Sequence, residues 1–169
     1  MSLELFAHPF SSYCQKVLIA LYENDIPFRF RLLGPEDEQT AAEHAALWPL
    51  RRMPLLLDEG RPVVEASIII EHLGLHHPGP VELVPADPSA ALDVRMMDRF
   101  FDNYVMTPVQ RIVGDYIRSP ERRDPWGVAE ARGLLETAYR LLARPSFARA
   151  VDEARPYRGL FPPGAPDRD

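Results

Sequence analysis

The residue types best suited to chemistry are gathered in the run Ala7-His8-Pro9-Phe10-Ser11-Ser12-Tyr13-Cys14. A hydroxyl or a thiol can steady or supply a nucleophile, and either gains from sitting at the start of a helix. There the first backbone N–H groups have no intrahelical partner and the helix dipole presents its positive end, so an anion is stabilised. The flanking pattern predicts that placement. Leu3, Leu5 and Ala7 alternate with Glu4 and Phe6 as in a short strand, and Pro9 with Ser11-Ser12 breaks the alternation and offers a cap. Val17, Leu18, Leu21 and Tyr22 then recur at helical spacing until Asn24-Asp25. A plain N-cap would account for Ser11 or Ser12 as well. Cys14, one turn into the helix, is either a thiol of lowered pKa or a small buried apolar residue, and we favour burial.

Two further stretches matter: Arg51-Arg52-Met53-Pro54-Leu55-Leu56 and Val63-Val64-Glu65-Ala66-Ser67-Ile68-Ile69-Ile70-Glu71-His72-Leu73. With the Ser-x-x-Cys junction they resemble, in order and spacing, the glutathione S-transferase family over roughly residues 1–80. In that resemblance Ser11 stands where a thioredoxin-type CxxC has its first Cys and Cys14 where it has its second. Ser11 also takes the place of the catalytic serine of serine-type members, with Ser12 as the fallback. The Ser-Ser-Tyr-Cys run is similar to the zeta, maleylacetoacetate-isomerase-like branch.

The resemblance implies a glutathione site. Met53-Pro54 aligns with a cis-proline turn whose backbone pairs with the cysteinyl part of glutathione like an added strand. Arg52 aligns with a residue that in some members contacts the glycine carboxylate, for which an Arg fork is suited; a solvated Arg51-Arg52 pair is the alternative. Arg51 replaces the family's usual glycine. Glu65 aligns with the acidic residue that holds the γ-glutamyl end. The hydroxyl expected next is lost at Ala66, and Ser67 is the candidate replacement. Ser11 would stabilise the glutathione thiolate: a helix N-terminus contributes up to ~2 kcal/mol to a partly buried anion. A charge-assisted hydrogen bond adds ~1.5–3 kcal/mol, and at ~1.36 kcal/mol per unit the two lower a thiol pKa by about two units.

Composition bounds the other classes. A net charge of −6 argues against nucleic acid as the main partner, because phosphate contacts need a concentrated basic face. No run of about 18 apolar residues predicts a membrane-spanning helix. The start Met-Ser-Leu-Glu lacks the basic and apolar regions of a signal peptide, and the single Cys forms no internal disulfide; the expectation is a cytoplasmic protein. His72 and His76, four apart on one helix, have metal-binding spacing but no evident third ligand, so no metal is expected.

These residues need a scaffold, and the punctuation supplies one. Phe28–Leu32 alternates as a second strand, Glu36-Asp37-Glu38 opens an Ala-rich, loosely packed helix to Leu47, and Leu55–Glu59 and Pro62–Val64 flank a Gly60-Arg61 hairpin turn. Glu65–His76 reads as a helix buried at Ile68, Ile69, Ile70 and Leu73. The order βαβαββα predicts a thioredoxin-like α/β domain at residues 1–80. A small all-α domain follows at 86–169. Asp87-Pro88 and Asp124-Pro125 each start a helix. The first carries Leu92, Met96, Phe100, Tyr104, Ile112 and Tyr116 on one side, with a kink at Pro108. The last helix is expected over 145–154, before a Pro-rich tail. Compared with the family, several C-terminal helices that support the second substrate pocket are missing.

The expectation is therefore a glutathione S-transferase-like enzyme that activates the glutathione thiol for attack on a small electrophile, working as a homodimer. Two alternatives remain. One is a glutathione-dependent isomerase of the maleylacetoacetate type. The other is a non-catalytic binding or dimerisation protein of the same fold.

Overall fold

The structure is a computed structural model and describes residues 3–142; the helix expected over 145–154 and the Pro-rich tail lie outside the described residues. The chain divides into two compact units, 1–94 and 95–169.

The first unit is built on strands β1 (Leu3–Ala7), β2 (Arg29–Leu32), β3 (Leu55–Asp58) and β4 (Arg61–Val64), and helices α1 (Ser12–Glu23), α2 (Glu38–Leu47) and α3 (Ala66–His76). The strands lie in the order β2-β1-β3-β4, with β1 parallel to β2 and antiparallel to β3. This is the thioredoxin-like mixed sheet. Strand alternation assigns its faces: Leu3, Leu5 and Ala7 pack with Cys14, Val17 and Leu21 of α1 and with Ile69 and Leu73 of α3. Phe6 points the other way and packs with Leu33 and Leu55 beneath Leu47 and Trp48. Both faces of β1 are therefore covered, which is why Phe6, read as the outward side of a strand, is buried.

Turn chemistry fixes the hairpin. Glu59 and Gly60 both have positive φ, 48° and 85°, the pairing a two-residue hairpin turn needs. Asp37 caps α2 through Thr40 N at 2.9 Å. Helix α2 is held by polar contacts rather than by its alanines: Thr40 and His44 are the residues it buries. Arg31 ties it to the sheet, reaching Glu4 at 2.7 Å, Thr40 Oγ1 at 3.3 Å and Glu43, with its guanidinium 4.8 Å over the Phe6 ring. On α3 the expected apolar run is split. Ile69 and Leu73 are fully buried, Ile70 is half-buried and Ile68 is exposed, as 3.6-residue periodicity demands of three consecutive isoleucines.

Helix α4 (Pro88–Phe100) starts on Asp87, which accepts from Ala90 N at 2.8 Å. It runs into a π-helical segment, Phe101–Met106, and then α5 (Thr107–Tyr116). A short 3-10 turn, Pro120–Arg122, precedes α6 (Pro125–Leu142). Asp124 caps α6 through Gly127 N at 2.8 Å, and the largely buried Asp115 accepts from Asp124 N at 2.6 Å. The π segment takes the place of the kink expected at Pro108. Pro108 has no N–H, and its ring crowds the carbonyl four residues back; Thr107 N–H already bonds to Asp102 O, an i→i−5 step that widens the turn. The expected apolar side is not a continuous one, before the π segment or after it. Phe100 is buried and Ile112 half-buried, whereas Leu92, Met96, Tyr104 and Tyr116 are exposed. Among the described residues, the apolar cluster of the helical unit is instead Phe100, Val105, Ala138 and Leu142.

Candidate functional site

Strand register brings the three motifs together. Phe6 pairs with Leu55, and Leu55 with Val64. One step beyond each pair are Ala7, Pro54 and Glu65. Hence the junction leading to Ser11, the Met53-Pro54 turn and the start of α3 share one end of the sheet.

At the first corner, Ser11 is the N-cap of α1, with extended backbone (φ −85°, ψ 120°). Its Oγ accepts from Cys14 N at 3.4 Å, which leaves the hydroxyl proton to point elsewhere. The loop before it is drawn tight: Ser11 N donates to His8 O at 3.0 Å, Phe10 N to His8 Nδ1 at 3.1 Å, and Gln15 Nε2 to Pro9 O at 2.7 Å. Ser12 is the first residue of the helix and half-buried. Cys14 is fully buried in the apolar core. Burial pushes its thiol pKa up, against smaller opposing effects from the hydrogen bonds of Ser11 and His8. A raised pKa keeps the sulfur as a thiol near neutrality, so Cys14 lacks the thiolate that redox exchange requires.

At the second corner the Met53–Pro54 bond is cis, and Met53 packs into the core clusters on both faces of the sheet. Arg51 and Arg52 are exposed. Arg51 has φ 52°, a glycine-like conformation kept despite its Cβ. Buried His44 supports this loop from α2: Nε2 donates to Arg52 O at 3.0 Å, and the ring stacks on Phe6 at 6.1 Å. An open groove of about 550 Å³ lies alongside, with Leu33, Glu38, His44, Arg51 and Met53 in its walls.

At the third corner Glu65 is exposed, with φ 70° and ψ 119°, and makes no side-chain cap bond to α3. Ala66 is buried and Ser67 half-buried. The positive φ of Glu65 aims the chain sharply from β4 into α3, placing the start of that helix beside the other two corners.

Two features escaped the sequence reading. His44 lies outside all three motifs, and its only signal was a histidine on the inward side of an Ala-rich helix. The second is at the opposite end of the sheet. Asp58 Oδ2 accepts from His72 Nε2 and His77 Nε2, each at 2.8 Å. His76, the spacing partner expected for His72, is exposed, with its ring 4.4 Å from that of His72. Burial alone would raise the Asp58 carboxyl pKa, but hydrogen bonds from His77 and His72 outweigh it and hold the carboxyl below its ordinary range.

Residues 5–81 match the sequence family described as "Glutathione S-transferase, N-terminal domain". A probable glutathione S-transferase of Oryza sativa subsp. japonica is 31% identical over 108 residues, which is 61% of this chain and 44% of the rice protein. This chain thus aligns with less than half of that relative. Among solved structures, a glutathione S-transferase of Methylobacterium radiotolerans in complex with glutathione sulfonate is 31% identical, with a TM-score of 0.71 over 85% of this chain and 66% of that one. One of Methylobacillus flagellatus with glutathione bound shares the fold at 24% identity, with a TM-score of 0.73 over 83% of this chain and 68% of that one. Residues 5–81 are thus similar to the N-terminal domain of glutathione S-transferases, in sequence and in fold.

Proposed function

We propose that the chain is a glutathione S-transferase-like enzyme of the serine type, with zeta-like features in its Ser-Ser-Tyr-Cys run, that binds glutathione at the shared sheet end and activates its thiol. The observation that carries this reading is the register that sets Ala7, which leads into the turn before Ser11, together with Pro54 and Glu65 one step beyond paired strand residues. Ser11, whose oxygen is engaged by Cys14 N, donates a hydrogen bond from its hydroxyl to the thiolate sulfur, and the start of α1 stabilises the anion. Met53 offers its backbone to the cysteinyl unit, Arg52 binds the glycine carboxylate, and Glu65 with Ser67 holds the γ-glutamyl end. With the thiol proton lost to water, the thiolate then attacks an electrophilic carbon, and the new C–S bond forms as that carbon's bond to a leaving group breaks and the leaving group departs with the electron pair. Domains at 1–80 and 86–169, a homodimer and a cytoplasmic location belong to the same reading.

A second reading is favoured by one specific feature: Ala66 carries no hydroxyl where the family has one. On this reading the protein binds glutathione, or dimerises, without turnover. Calorimetric titration with glutathione near pH 7, followed by an electrophile screen, tests both. Saturable binding with turnover supports the enzyme, and binding without turnover supports the second reading. No binding overturns the site. A screen that includes cis–trans isomerisable diketo acids separates transfer from isomerisation.

A further inference from the structure

We propose that Asp58, His72 and His77 form a binding site for one divalent transition-metal ion, of which Zn²⁺ fits best. Asp58 ends β3, His72 lies in the last turns of α3, and His77 is the C-cap of α3. Asp58 pairs with Leu3 and Arg61, so this site is at the opposite end of the sheet from Ser11 and Pro54.

Three observations carry the assignment. First, one ligand atom from each residue converges: all three lie within 4.8 Å of one another. Second, the set is pre-placed and largely withdrawn from water, with side-chain exposures of 11% for each histidine and 13% for Asp58. Third, the donor set suits the ion. Two imidazoles and one carboxylate are the three protein donors of many open zinc sites, with a water completing the tetrahedron. Zinc–ligand bonds of about 2.0–2.2 Å would put neighbouring donors about 3.3 Å apart. The two 2.8 Å contacts therefore need to open by about half an ångström, and the two imidazole nitrogens, within 4.8 Å of each other, to settle at the same spacing, by side-chain rotation. Sequence spacing pointed to His76, but the helix end turns His77 toward the strand.

An ion here would clip the end of β3 to the end of α3. The site would bind the folded chain and not the unfolded one, so it would raise thermal stability by mass action.

The test uses the full chain, stripped with a chelator and titrated at pH 7.5 with Zn²⁺ by calorimetry and with Co²⁺ by visible absorption. We expect one ion per chain, the intense ligand-field bands of a four-coordinate Co²⁺ site, and a melting temperature raised by about 5 °C at a hundredfold excess over Kd. Asp58→Asn, His72→Gln and His77→Gln should each weaken Zn²⁺ binding by at least about 100-fold, because even outer partners of a metal site cost 10–100-fold. His76→Gln should leave it unchanged. Wild-type affinity in the His72→Gln/His77→Gln double variant would overturn the assignment, as would no saturable binding. Should those variants fold poorly without metal, NMR on the wild-type chain decides. Zn²⁺ must shift the ring signals of His72 and His77 and spare those of His8 and His44; any other pattern rejects the site.

Discussion

His44 Nε2 donates to the backbone carbonyl of Arg52 at 3.0 Å, so a buried side chain of α2 fixes the loop that carries two of the proposed glutathione contacts. His44→Ala leaves that carbonyl without its partner and removes the stack on Phe6. The loss should cost about 1–3 kcal/mol in stability, read by urea denaturation. If His44 acts by positioning Arg52, Kd for glutathione should rise by several-fold while kcat with saturating glutathione stays within about twofold. An unchanged Kd in a folded variant would separate the loop from the site.

Ser11→Ala should lower kcat/KM by about 10–100-fold, which corresponds to losing a charge-assisted hydrogen bond of ~1.5–3 kcal/mol. The pKa of bound glutathione, followed by thiolate absorbance, should rise toward its free value. Part of the effect of alanine on stability comes from the lost cap over Cys14 N. Ser11→Gly isolates the chemistry, because glycine caps nearly as well as serine but carries no hydroxyl. Full activity in the glycine variant would remove Ser11 from the mechanism.

Cys14 should label slowly with a thiol reagent at pH 7–8 in the folded protein and rapidly in urea, because it is fully buried. Its raised pKa also has a sign. The folded state holds the proton more tightly than the unfolded one, so the associated stability is fully present below the unfolded value of about 8.5 and declines as pH rises beyond it. Cys14→Ala should flatten that alkaline decline in a pH series of denaturation midpoints. A decline of the same slope in the variant would assign it to other groups.

Gly79 and Gly74 make a paired test. A Cβ at Gly79 would fall within 2.5 Å of Asn24, whose Oδ1 accepts from Val81 N at 2.8 Å, whereas nothing lies within 4 Å of a Cβ at Gly74. Gly79→Ala should therefore destabilise by about 1–3 kcal/mol through crowding. Gly74→Ala, inside α3, should stabilise by about 0.5–1 kcal/mol. Matching denaturation curves for the two variants would refute the close approach at Asn24.

Much of this architecture could be read from single residues. Asp37, Asp87 and Asp124 each cap the helix expected after them, and alternation in β1 identified the strand that Phe6 and Leu5 anchor from opposite faces. Local chemistry sets these features, so local sequence shows them. The remainder depended on contacts distant in sequence. Asp58 meets His72 and His77 only because β3 lies beside α3, and no spacing rule spans those 14 and 19 residues. Arg51 and Glu65 adopt positive φ as non-glycine residues, which tertiary packing imposes against their own preference. In the site, the motif residues could be named from sequence, but the support from His44 could not.

The π segment Phe101–Met106 sets phase. A single widened turn carries one extra residue, and each residue rotates a helix by about 100°. Everything after it therefore faces a different direction from the one a regular helix would give. Phe100 and Val105, five apart, consequently share one apolar cluster, while Tyr104, four on from Phe100, is 55% exposed. Losing one residue in this stretch would do more than shorten the chain. It would restore the regular repeat and swing α5 by about a quarter turn, exchanging its inner and outer residues in one step. The length of this short segment is thus as binding a constraint on the helical unit as any of its side chains.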